Sequence, residues 1–140
     1  MRTFFTLIFS LLLTTATWGT CTLAQAEPDP AIVSAEAWLA LVDRQEFSSS
    51  WNTASSQFQR MISQVQWQQS LKAYRAPLGT VISRSHPTIQ RTTTLPGYPD
   101  GSYIGITFHS SFTNKASTIE TVVLTHVPNG RWSVIGYTMN

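Results

Sequence analysis

Few side chains in this 140-residue sequence could move protons or hold metal. Its three histidines, His86, His109 and His126, are isolated, with no two at ligand spacing on a helix, so neither a metal site nor a cofactor is expected. No glycine-rich phosphate loop or nucleophile elbow is present, and serines without a nearby base are not activated nucleophiles. One constellation has chemical potential. If residues 114–117 form a four-residue hairpin loop, Glu120 falls opposite Ser111 and diagonal to His109, with Tyr103 and Tyr137 on the same sheet face. A carboxylate and an imidazole beside a phenol could serve general acid–base catalysis, which makes Glu120, His109 and Tyr137 the candidate catalytic residues. They fall on the sheet face away from the helices, where a substrate pocket is not expected. A cross-strand polar contact at an oligomer interface is therefore the preferred reading.

A second candidate lies near the end of a helix, where Trp67, Tyr74 and Arg75 meet Pro77-Leu78-Gly79. There Arg75 could bind an anion. It could also complement the helix dipole and bridge to the sheet through Asp43 or Asp100, and this structural role is favoured. The turn-rich segment 95–101 reads either as a lid or as a rigid connector, and the tryptophans read as core.

Three helices must position these groups. Asp29-Pro30 has the form of an N-cap followed by proline at the first helical position, and Ile32, Ala35, Trp38, Leu39 and Val42 recur at helical spacing to about Arg44. A short helix is expected over 47–54 and a longer one over 57–75. The longer one is apolar on two sides and so is expected to be sandwiched. From Gly79 the period changes to two. A strand over 80–94, interrupted near Pro87, precedes strands over 102–113, 118–127 and 131–139. Asn129-Gly130 predicts a type I′ hairpin between the last two, with Pro128 opposite Arg131.

This register puts Ile104, Ile106, Phe108, Phe112, Ile119, Val123, Val127, Trp132 and Val134 on the core face. The outer face then carries Val122, Leu124, Ile135 and Tyr137, and an apolar patch of that kind predicts a homodimer. The expected fold is α+β: three N-terminal helices packed on a curved four-stranded antiparallel sheet. Its element order suggests the roll of the cystatin and nuclear-transport-factor-2 superfamilies.

A set of ordered short motifs carries a closer resemblance. They are Ala37-Trp38-Leu39 with Val42-Asp43, Ser50-Trp51, Gln66-Trp67 with Leu71, and Arg75-Ala76-Pro77-Leu78-Gly79 with Arg84. Further along come Leu95-Pro96-Gly97-Tyr98-Pro99-Asp100-Gly101 with Tyr103, Phe112-Thr113-Asn114-Lys115, Glu120-Thr121, Gly130-Arg131-Trp132 and Gly136-Tyr137. With these the chain resembles the secreted bacterial domain-of-unknown-function family numbered 4019. The resemblance implies an exported, roll-like domain and supplies no catalytic or binding residue.

The N-terminus has the three parts of a signal peptide in order: Arg2, an uncharged apolar run from Phe4 to Leu13, and Ala24-Gln25-Ala26 before Glu27. The apolar run is shorter than the roughly 20 residues that span a bilayer, so cleavage after Ala26 is expected rather than anchoring. Residues 27–140 then form one periplasmic or secreted domain without stable membrane insertion. Cleavage would discard Cys21, the only cysteine, whose preceding Trp18-Gly19-Thr20 is a poor lipoprotein signal. Eight basic and seven acidic residues in 27–140 leave a net charge of +1 with no basic run, which gives no footprint for nucleic acid. A non-enzymatic interaction or binding module of the envelope is the expected function. The alternative is a small-molecule pocket between helices and sheet, with or without weak acid–base catalysis.

Overall fold

The computed structural model describes residues 26–85 and 87–140; His86 and the expected signal segment, save Ala26, lie outside them. Helix α1 (Pro30–Asp43) starts as its sequence dictates: the Asp29 carboxylate accepts the backbone N–H of Ala31 at 2.9 Å, and proline occupies the first turn. It ends in a Schellman turn, with Gln45 N–H donating to Val42 and Glu46 N–H to Leu41. Gln45 takes the left-handed conformation there, at φ 60°. Helix α2 (Phe47–Thr53) follows directly.

The expected long helix is two helices, α3 (Ser56–Met61) and α4 (Gln64–Tyr74). Ser63 causes the division. Its hydroxyl accepts the N–H of Gln66 while the Gln66 side chain accepts the N–H of Ser63, so a capping box starts a new helix. The expected sandwich is therefore corrected. Phe58 of α3 and Trp67 and Leu71 of α4 enter the core, whereas Met61, Val65 and Tyr74 are exposed. A 3-10 turn (Ala76–Leu78) then leads into the sheet.

Strands β1 (Val81–Arg84) and β2 (Thr88–Thr92) flank Pro87 and both pair with β3 (Tyr103–Phe112). The proline thus interrupts an edge strand, where a missing N–H is tolerated. Strands β4 (Lys115–His126) and β5 (Trp132–Met139) complete an antiparallel sheet in which β3 and β4 are central. The helices pack on one face. Trp38, Leu39 and Val42 of α1, with Trp67 and Leu71 of α4, meet Ile104, Ile106, Phe108, Val122, Leu124 and Val134.

Two turns and a bulge beside each set the register. The β3–β4 loop is Thr113-Asn114 rather than four residues, an even change that alone would leave Glu120 opposite Thr107. A bulge between Ser110 and Phe112 adds one residue, so Glu120 pairs with Phe108 and His109 with Ile119. The difference from the expected Ser111 partner is an odd number of residues, which exchanges the faces of β4 relative to β3. Glu120, Val122 and Leu124 therefore point into the core, and Ile119 is exposed while Val123 is only half-buried.

At the β4–β5 turn Gly130 has φ 81° and Asn129 does not have positive φ, so the turn is not type I′. The loop is Pro128-Asn129-Gly130. Gly130 N–H donates to Val127, and Val127 N–H donates to Arg131. A proline at the second position of a type I turn, followed by left-handed glycine, produces this geometry. Pairing near the turn is consequently shifted by one, and Val127 and Trp132 are only half-buried. A bulge between Val123 and Leu124 restores the expected pairing of Val122 with Tyr137.

The proposed dimer face needs the same correction. Val122, Leu124 and Ile135 are buried within the chain, and Tyr137 gives its hydroxyl to Glu120. The patch expected to attract a second copy is interior.

Candidate functional site

Charge is concentrated beneath the helices. Asp43 is the last residue of α1, Arg75 caps α4, Arg84 ends β1, and Glu120 lies mid-way along β4. Arg75 donates from Nη2 to Asp43 Oδ1 at 2.9 Å and from Nη1 to the carbonyl of Gly79 at 2.8 Å. Arg84 clasps Asp43 with both terminal nitrogens, at 2.8 and 3.0 Å, and turns its Nε to Glu120 Oε2 at 2.8 Å. Glu120, fully buried, also accepts the Ser110 hydroxyl on Oε2 and the Tyr137 hydroxyl on Oε1 at 2.6 Å. Two guanidinium groups and two carboxylates thus form one continuous, charge-balanced chain from helix to sheet. Burial alone would penalise each charge heavily, and only mutual pairing makes the arrangement tolerable.

Local structure fixes each member. Gly79 takes φ 80°, and a Cβ there would come within 2.0 Å of Thr113 Oγ1; the glycine lets the β3–β4 turn dock where Arg75 reaches its carbonyl. The Arg75 guanidinium carbon also sits 4.2 Å over the centroid of the Phe112 ring. Tyr137 is held by Trp38 at 5.3 Å and Trp67 at 6.3 Å between centroids, with Phe58 edge-on to Trp67 at 5.0 Å. Ser50 anchors both indoles: its carbonyl accepts Trp38 Nε1–H and its hydroxyl accepts Trp67 Nε1–H.

The electrostatics follow from this packing. Burial pushes the Asp43 carboxyl upward, but the hydrogen bonds and charges of Arg84 and Arg75 outweigh it, and its pKa ends below the ordinary value. Arg84 is opposed by burial and favoured more strongly by Asp43 and Glu120, which hold it protonated. Burial first, then the charge and hydrogen bond of Glu120, drive the Tyr137 phenol far above its ordinary value. Tyr137 is therefore a hydrogen-bond donor at physiological pH and not a proton acceptor. Glu120 has both oxygens engaged, so neither residue is poised to take a substrate proton.

Of the catalytic trio, the structure joins Glu120 to Tyr137 and separates His109, which is exposed on the opposite sheet face. The proposed His109–Glu120 pair is corrected by the odd register difference. Tyr103 is buried, with its hydroxyl on the carbonyl of Pro99 and its ring 6.2 Å from Tyr98, so the 95–101 segment packs over it. Of the second candidate, Arg75 bridges to Asp43, as the structural alternative anticipated, and Trp67 is core. Tyr74, 73% exposed, lines a groove of about 480 Å³ between α4 and the end of β5, with Trp67 and Tyr137 at its inner wall.

Sequence reasoning missed Arg84 and Ser110 as members of the network. The available signal was phase: Glu120 shares its alternation with Val122 and Leu124, as Ser110 does with Ile106 and Phe108. It also missed two grooves at the other end of the sheet. One, of about 650 Å³, includes Arg91, Ser102, His126 and Trp132; the other, of about 560 Å³, runs between α1 and the β4–β5 turn, with Trp132 and Trp38 in its wall. Among the described residues no group of three His, Cys, Asp or Glu side chains could hold a metal ion. Nor is any helix among them long and apolar enough to cross a membrane.

Fold and site together define a class: an α+β domain whose helices close one face of an antiparallel sheet over a charge-balanced polar core. Its particular family is also shown. The family model described as Protein of unknown function (DUF4019) matches residues 34–137, and the chain belongs to that family. No curated protein and no solved structure matches it.

Proposed function

We propose that this protein is an exported, non-catalytic binding module of the bacterial envelope, which meets its ligand or partner in surface grooves rather than in its polar core. The observation that carries this reading is the saturation of Glu120 by Arg84, Ser110 and Tyr137. An acid–base centre needs at least one group free to exchange a proton with substrate. Here the one carboxylate–phenol pair among the described residues is committed internally, and the phenol's ionisation is suppressed. The order of charged, apolar and small-x-small residues before Glu27 supports export.

Fragment mapping by amide and indole NMR on the purified protein tests the binding reading. Fragments are expected to shift signals along the groove walls, leave those of Glu120 and Tyr137 in place, and emerge chemically unchanged. Fragments that converge on Glu120 and are converted would overturn it. For export, the protein recovered from the periplasm of a bacterial host should begin Glu27-Pro28-Asp29. Recovery from the cytosol alone, still starting at Met1, would contradict that part.

A further inference from the structure

The four tryptophans between residues 27 and 140 do not all use their indole N–H in the same way. Trp38 donates to Ser50, Trp51 to the carbonyl of Ile62, and Trp67 to the Ser50 hydroxyl. The half-buried Trp132 donates to no protein group among the described residues, and it lines both grooves at this end of the sheet. An indole shared by two grooves is an apolar wall with a polar tip, a surface suited to a ring-bearing ligand.

The surroundings give that ligand a chemistry. His126 packs edge-on to Trp132, 5.1 Å between ring centroids, and fixes the orientation of the indole. Across the same groove stand Arg91, Thr93 and Ser102, and no carboxylate side chain lines it. Arg91 uses one terminal nitrogen on Asp29, the N-cap of α1, and that contact tethers the guanidinium at the rim. A guanidinium has further N–H donors in a fork that suits a carboxylate or phosphate. Exposed hydroxyls match the hydroxyls of a polyol. The flat indole offers an apolar face for ring C–H groups, and its N–H is a donor at the ring edge. The groove, about 650 Å³, is large enough for one or two sugar rings.

We infer that this groove binds an acidic sugar, a cyclic polyol carrying a carboxylate or phosphate, with Arg91 on the anion and Trp132 against the ring. The inference rests on the binding-module reading and names its site and ligand class. A neutral sugar lacks the partner for Arg91, and a simple aromatic acid lacks the hydroxyls.

The test titrates the purified protein with glucuronate, glucose 6-phosphate, glucose and benzoate, following the four indole N–H signals. Glucuronate and glucose 6-phosphate are expected to move the Trp132 signal and leave the other three in place. Which of the two binds more tightly distinguishes a carboxylate from a phosphate ligand. Glucose and benzoate should bind at least ten-fold more weakly. Arg91→Gln should cost the acidic sugars at least ten-fold in Kd while leaving the thermal midpoint nearly unchanged, because the Asp29 pair is solvent-exposed. Equal binding of glucose would overturn the anion assignment, and equal binding of benzoate the sugar assignment. If no compound moves Trp132 while fragments still map to other grooves, this inference fails and the binding-module reading stands. If nothing maps to any groove, both fail.

Discussion

Tyr137 and Asp43 show how single residues make the core depend on pH. Tyr137 is neutral when folded, and its pKa is raised above the ordinary 10.0 by burial and by Glu120. The unfolded chain releases that proton first, so the stability this residue contributes is complete below about pH 10 and declines as pH rises beyond it. Asp43 behaves oppositely. Its pKa is depressed below 3.8 in the fold, so its contribution is present above that value and is lost as pH falls through the folded pKa. Urea midpoints should therefore form a plateau that drops on both sides. In Tyr137→Phe the alkaline limb should flatten, at a cost near neutrality of about 1.5–3 kcal/mol for the lost hydrogen bond to a charged acceptor. An unaltered alkaline limb would show that the phenol is not held neutral by its surroundings.

At the scale of elements, two backbone positions set where helices and hairpins meet. Gln45 holds a left-handed φ of 60° in the turn closing α1, a conformation that glycine adopts freely. Gln45→Gly should raise stability by about 0.5–1 kcal/mol, measured by chemical denaturation. Gly79→Ala should do the reverse. It forces a Cβ to within 2.0 Å of Thr113 Oγ1 at φ 80°, and strain plus displacement of the β3–β4 turn should cost about 2–4 kcal/mol. A neutral Gly79→Ala would mean that the turn does not dock as described.

These elements also mark the limits of sequence reasoning. The Asp29-Pro30 cap, the α1 stripe and the interruption at Pro87 were legible because each depends on a few adjacent residues. The division at Ser63 was missed because apolar residues continue on both sides of it. The register of β4 was not legible either. Both of its alternations are apolar, Val122 with Leu124 and Ile119 with Val123, so periodicity could not choose a face. The bulge between Ser110 and Phe112 decided it, and nothing in the alternation marks its place. This ambiguity concealed the site as well: with β4 turned over, Glu120 lay outside beside His109 and not inside beside Arg84 and Tyr137. Proximity of Arg75 to Asp43 survived because it depends on helix ends rather than on strand register.

At the scale of the whole molecule, the core joins two kinds of cohesion. At one end aromatic rings and aliphatic side chains bind α1 and α4 to the sheet. At the other, Asp43, Arg75, Arg84 and Glu120 connect α1, α4, β1 and β4 by charge. Such a network fixes helix orientation over the sheet and commits Glu120 and Tyr137 to internal partners. The account therefore turns on whether the network acts as one structural unit. A double-mutant cycle on Arg84→Ala and Glu120→Ala, read as unfolding free energies, measures this directly. Arg84→Ala strands the fully buried Glu120 and should cost about 3–5 kcal/mol, whereas Glu120→Ala leaves Arg84 paired with Asp43 and should cost about 2–3 kcal/mol. The double variant should lose little more than Arg84→Ala alone, a coupling of about 2 kcal/mol. Single losses below about 1 kcal/mol that simply add would contradict the account and reopen Glu120 as a group kept for chemistry.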